Sequence, residues 1–92
     1  MLEKIYTSKA PSAIGPYSQA IKNGNMVFVS GQVPFDPQTM EVIEGGAKEQ
    51  AARSLESLKE ILAEAGATFA DVVKTTVFIK DMNDFADINE VY

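Results

Sequence analysis

The sequence predicts a small α+β domain, and three stretches carry that prediction. Two apolar-rich runs flank Asn23-Gly24, the residue pair that best tolerates the positive φ angles of a tight hairpin turn. Between residues 47 and 65 the apolar positions Ala51, Leu55, Leu58, Leu62 and Ala65 step by four and three, which lines them up on one face of a helix. The run "VVKTTVFIK", residues 72–80, is rich in β-branched side chains and places Val73, Thr75, Val77 and Ile79 on one face, as a central strand would.

Taken in order, "LEKIYT" at 2–7 alternates weakly and reads as a short edge strand before the proline-containing loop "SKAPSAIGP". The hairpin strands are expected at 17–22 and 26–31. "QVPFDPQTMEVIEGG" follows as a long irregular connection punctuated by Pro34, Pro37 and Gly45-Gly46. The helix over 47–65 carries a Glu49/Arg53 pair on its expected solvent side and ends at Gly66, which suits a left-handed capping position. Burial of Leu55, Leu58 and Leu62 would contribute about 1.5 to 3 kcal/mol each, so this helix must lie on a sheet or another helix. A strand following it would normally run parallel to an earlier one. Asn83 or Asp84 can cap a last helix whose Phe85, Ile88 and Tyr92 share a face.

With 92 residues the chain is one domain, 1–92, small enough that a partner subunit would help cover its surface. An apolar share of 46% and a charged share of 23% belong to an ordinary globular protein. The net charge of -5 and a single arginine argue against nucleic acid as the main partner and against an anionic membrane surface. No apolar run reaches the ~18 residues of a membrane span, and residues 1–9 lack a signal-peptide core, so a cytoplasmic location is expected. Cysteine and histidine are both absent, which removes disulfides, thiolate or imidazole metal sites and histidine-based triads from these residues. No metal site is expected.

Few residues then remain to carry chemistry. Tyr17 follows "AIGP", where Gly15 and Pro16 shape a turn that presents the phenol at the entrance to a strand; it can hold a water or substrate oxygen, or simply satisfy a neighbouring carbonyl. Ser30-Gly31 sits where the hairpin leaves the sheet, either as a plain turn or as a place where a ligand approaches backbone N–H groups. Asn89 lies one step from the apolar stripe of the last helix and faces either a cleft or solvent. Asp81, Asp84, Asp87 and Glu90 read as cap and dipole partners. Gly45-Gly46 lacks the context of a phosphate loop.

The strings "SAIGPYSQAI", "GNMVFVSGQVPFDP" and "DVVKTTVFIKDMNDFADINEVY", in this order and spacing, closely resemble the reactive intermediate deaminase (Rid, or YjgF-type) family over the whole chain. The resemblance implies a chorismate-mutase-like α+β fold, with a mostly antiparallel sheet backed by two helices. It also implies a homotrimer with ligand clefts between subunits. The implied activity is hydrolysis of 2-imino or 2-enamino acids, such as 2-iminobutanoate and 2-iminopropanoate, to 2-keto acids and ammonia. Pyridoxal-phosphate dehydratases release these imines, and the family itself uses no cofactor.

Carried over by resemblance, Tyr17 would hold substrate or water, Ser30 and Gly31 would line the cleft, and Asn89 would line the same region. The family's carboxylate-binding arginine, a nearby cysteine and a water-positioning glutamate lie on two further strands, expected beyond Tyr92, so the resemblance implies a chain truncated at its C-terminus. Low deaminase activity is then expected of the 92 residues by themselves. Met40 stands where many relatives carry glycine in "DPxTG", which implies a different turn after Pro37. A non-catalytic, metabolite-sensing trimer is the alternative from another class. Ribonuclease activity or translation inhibition has also been attached to relatives, but the acidic charge and absence of histidine oppose it.

Overall fold

A hairpin turns at Gly24, whose φ of +63° is the left-handed conformation that a glycine adopts without strain. The computed structural model describes residues 2–12 and 17–92. Three strands, β1 (Leu2–Ile5), β2 (Ala20–Asn23) and β3 (Met26–Val29), form an antiparallel sheet in the order β1-β2-β3. Asn23 pairs with Met26, so the two loop residues are Gly24 and Asn25, one position later than the Asn23-Gly24 turn the sequence suggests. Positive φ at Gly24, the first of these two residues, matches the type II′ pattern that suits a twisted hairpin.

The register sorts side chains by period two. Ile5, Ala20, Val27 and Val29 face inward, while Leu2, Met26 and Phe28 stand exposed on the opposite face. The inward set packs with Ala10 and with Ile61 of α1 (Ala47–Glu64). This helix ends in a Schellman motif: Gly66 N–H donates to Ala63 O at 3.0 Å and Ala67 N–H to Leu62 O at 2.8 Å, with Gly66 at φ +83°. Gly45, at φ +121°, is equally constrained, because a Cβ there would stand 2.8 Å from Glu49 Cβ.

The stripe of α1 is rotated from its expected position. Ser57, Ile61 and Leu62 are its buried residues, whereas Leu55 and Leu58 are only half-buried. Those two leucines line a broad open groove of about 650 Å³ with Phe69, Val72 and Val91. Arg53 also departs from expectation. Its guanidinium does not pair with Glu49; Nη2 donates to the buried Ser57 Oγ at 3.1 Å, and Nε is buried with no hydrogen-bond partner. The surface ion pairs among the described residues are instead Lys9–Glu60 at 4.0 Å and Lys48–Glu90 at 3.1 Å.

The expected strand at 72–80 does not form. Val73 and Phe78 are each 93% exposed, and no strand among the described residues supplies a ladder partner. β-branched composition favours extended backbone, but a strand exists only through its neighbour's hydrogen bonds. The sheet is therefore wholly antiparallel, without the parallel crossover that such a strand would have made.

Two capped turns join α1 to the last helix. Thr68 and Asp71 make a reciprocal capping box around the 3-10 turn Phe69–Asp71, a signal present in "TFAD". Asp81, rather than Asn83 or Asp84, supplies the side-chain cap: its Oδ1 accepts from Asn83 N–H at 2.9 Å and starts a 3-10 turn that leads into α2 (Phe85–Val91). The α2 helix packs on α1. Among the described residues no helix is long and apolar enough to cross a membrane.

Candidate functional site

Beyond the last sheet pair, Ala20↔Val29, one backbone bond and one side-chain bond keep the two segments together. Ser30 N–H donates to Gln19 O at 2.9 Å, and Ser30 Oγ donates to Ser18 O at 2.6 Å. These bonds keep Tyr17 to Gln19 alongside Ser30 to Gln32 and so bring Tyr17 near Gly31. Gly15 and Pro16, expected to shape the turn before Tyr17, lie outside the described residues.

Gln19 is the organiser that sequence reading missed. The residue is 3% exposed, and its side chain ties down the loop after β1. Oε1 accepts from Thr7 N–H at 2.7 Å, while Nε2 donates to Thr7 O at 3.0 Å, to Pro11 O at 2.9 Å and to Ala10 O at 3.4 Å. A loop with no strand or helix of its own must satisfy its buried carbonyls somehow, and one amide side chain with two donors does so here. Pro11 and Ser12 are thereby fixed as part of the pocket wall.

A second loop closes the pocket. Phe35 bridges to Val42, Ile43 N–H donates to Pro34 O at 2.9 Å, and Asp36 N–H donates to Glu41 O at 2.9 Å. Asp36 Oδ1 accepts from Gln38 N–H at 2.8 Å and from Thr39 N–H at 3.2 Å. Those two backbone donors, with a smaller contribution from the positive charge of Arg53, hold the Asp36 carboxyl below its usual range. The turn ends at Met40, whose N–H donates to Asp36 O at 2.8 Å and whose φ is +60°. Met40 is the only non-glycine residue with positive φ among the described residues.

The resulting pocket is small, about 40 Å³, enough for a water or a few substrate atoms. Pro11, Val33, Phe35 and Met40 give it apolar lining; Tyr17, Gln32 and the Gly31 backbone give it polar lining. A Cβ built on Gly31 would meet nothing within 4 Å, so the glycine leaves open space at the pocket rather than relieving a clash. Tyr17 is 54% exposed at the rim.

Of the four residues singled out from sequence, Tyr17 and Gly31 share this pocket. Ser30 adjoins it, with its hydroxyl proton committed to Ser18. Asn89 is exposed on α2 and is not among the lining residues. The pocket thus offers hydrogen-bonding groups and a short apolar wall. Among the described residues it has no cluster suited to a metal ion.

The class this architecture defines is matched by comparison with known proteins. A family profile described as endoribonuclease L-PSP matches residues 7–92. A RutC family protein of Pyrococcus abyssi is 61% identical over 90 residues, covering 98% of this chain and 71% of the relative. The mouse protein named 2-iminobutanoate/2-iminopropanoate deaminase is 51% identical over 88 residues, covering 96% of this chain and 65% of its own. Among solved structures, E. coli TdcF with bound serine superposes with a TM-score of 0.93 at 52% identity, covering 98% of this chain and 70% of TdcF.

The chain belongs to this family, the reactive intermediate deaminase or YjgF-type family that its motifs resemble. Its three-stranded antiparallel sheet and two helices match the fold of those structural neighbours.

Proposed function

We propose that the protein is an enamine/imine deaminase that hydrolyses reactive 2-imino and 2-enamino acids, including 2-iminobutanoate and 2-iminopropanoate, to 2-keto acids and ammonia. The observation that carries this reading is the small mixed pocket at Tyr17 and Gly31 in a chain 51% identical to a mouse protein named for that activity.

The chemistry asks little of the protein. A protonated imine carbon is already electrophilic. Water adds to it, a proton moves to nitrogen, and the C–N bond breaks, so that C=NH2+ and H2O become C=O and NH4+. Holding water and carbon in line removes much of the entropic barrier. In the proposed complex the Gly31 N–H and the Tyr17 hydroxyl bind polar atoms of the substrate or water, Ser30 fixes the backbone that presents them, and the apolar lining takes the substrate's side chain.

A guanidinium for the substrate carboxylate is not supplied by Arg53, which is bound to Ser57 on α1 and does not line the pocket. We further assign a cytoplasmic homotrimer acting on imines released by pyridoxal-phosphate dehydratases. The exposed Leu2, Met26 and Phe28 on the outer sheet face support subunit packing. Asn89 contributes to binding where a neighbouring subunit builds a cleft over α2.

The test is keto-acid release when a dehydratase generates the imine, compared with and without the protein. The protein is expected to accelerate release. No acceleration would contradict the proposal. A non-catalytic metabolite-binding trimer is favoured by one observation, the serine bound in the TdcF neighbour, and would show 2-keto acid binding with unchanged imine lifetime. The endoribonuclease in the family profile's description fits less well, given a net charge of -5 and no histidine.

A further inference from the structure

We propose that Met40 is the residue that limits the pocket to substrates with short aliphatic side chains. The inference rests on the deaminase reading for the kind of ligand. At φ +60° every side chain crowds its own carbonyl, and glycine alone avoids the strain. The turn itself does not require a side chain at this position: it is fixed by backbone bonds from Met40 N–H to Asp36 O and from Asp36 N–H to Glu41 O, and by the Asp36 carboxylate.

A strained residue whose local structure would be better served by glycine points to a use for its side chain. Met40 lines the pocket with Phe35, Val33 and Pro11, which gives its thioether a place in the apolar wall. With a volume of about 40 Å³, the pocket admits only a short chain beside the polar atoms of Tyr17 and Gly31. Removing the thioether would lengthen its apolar part. A flexible, polarizable side chain also suits a wall that touches short aliphatic groups of slightly different shape.

The experiment measures Kd for 2-oxobutanoate and for a six-carbon straight-chain 2-keto acid, by calorimetry, with the unsubstituted protein and with Met40→Gly, Met40→Ala and Met40→Leu. Binding of the keto acid does not depend on turnover. Unsubstituted protein and Met40→Leu should prefer the short ligand, and both small variants should shift the ratio toward the long one by about tenfold or more, the usual weight of one or two methylenes in an apolar pocket. Met40→Gly should also melt about 4 °C or more above Met40→Ala, since both lose the side chain but only glycine relieves the backbone.

An unchanged ratio in both small variants, with the short ligand still bound, overturns the role of Met40 and leaves the proposed function standing. Failure of the unsubstituted protein to bind either keto acid removes the ligand assignment itself, and this inference with it.

Discussion

Gln19→Ala is expected to destabilise the protein by about 3 kcal/mol, lowering the thermal midpoint by roughly 12 °C or more. The wild-type amide closes four hydrogen bonds with Thr7, Ala10 and Pro11 at 3% exposure. Alanine leaves the Thr7 N–H and at least two carbonyls without partners, and each buried unsatisfied group costs about 1–3 kcal/mol, less where water from the adjoining pocket can enter. Against a total stability of roughly 5–15 kcal/mol for a domain of this kind, the loss is large.

Gln19→Glu distinguishes hydrogen bonding from simple packing. It keeps the shape and the acceptor for Thr7 N–H, but turns a carboxylate oxygen toward carbonyl oxygens. The folded-state pKa of that new carboxyl should be raised above its unfolded value, so the variant should gain stability as pH falls through that raised pKa and a donor returns. A melting series from pH 7 to pH 4 reads the result. If Gln19→Ala melts within 3 °C of the parent, the amide does not organise the loop. Because the same loop carries Pro11 and Ser12 to the pocket, keto-acid binding should weaken along with stability.

Ile61→Ala should cost about 4 kcal/mol, near the upper part of the range for large-to-small changes in a core. Ile61 is fully buried against Ile5, Ala10 and Ala20. Two of those neighbours are alanines, which have no side-chain length with which to fill the space left behind, so most of the cavity should persist. Leu55→Ala on the same helix should cost less than half as much, because Leu55 is half-buried and borders the open groove. Urea unfolding with an unchanged m-value would measure both as stability differences. Equal losses at the two positions would mean that the core is centred elsewhere on α1.

That contrast shows where the sequence could be read and where it could not. Turn and cap chemistry is local: Gly24 and Gly66 were legible because a few adjacent residues determine their conformation. The helix was legible as a helix, but its orientation was not. Periodicity alone gave equal weight to Leu55, Leu58 and Leu62, whereas the choice of buried face depends on which elements come to lie on it. Ser57 sits fully buried in that face because its Oγ accepts from Arg53, a pairing at i,i+4 that competes with the Glu49/Arg53 pair read from charge alone.

The segment 72–80 failed for a related reason, since strand composition is a property of the segment while strand structure belongs to a pair. In the site, Tyr17 and Gly31 stood out through their turn context and family motif, and the pocket contains both. Gln19 gave no comparable signal: only the folded loop shows which buried carbonyls, and which N–H, its amide must reach. Met40 could be noticed as a departure from glycine, but its place in the pocket lining could not.

The central claim is that a 2-imino acid, or its 2-keto acid product, binds at the pocket formed by Tyr17 and Gly31. Titration of the 15N-labelled protein with 2-oxobutanoate tests it most directly, because backbone N–H groups report on the ligand without requiring turnover. Saturable shifts are predicted at the amides of Gly31 and Gln32 and at Met40, and Gly31→Val, which fills the open space beside the glycine, should abolish them while leaving the fold intact. Shifts confined to the groove lined by Leu55, Phe69 and Val72, with the Gly31 amide unmoved at saturation, would contradict the account.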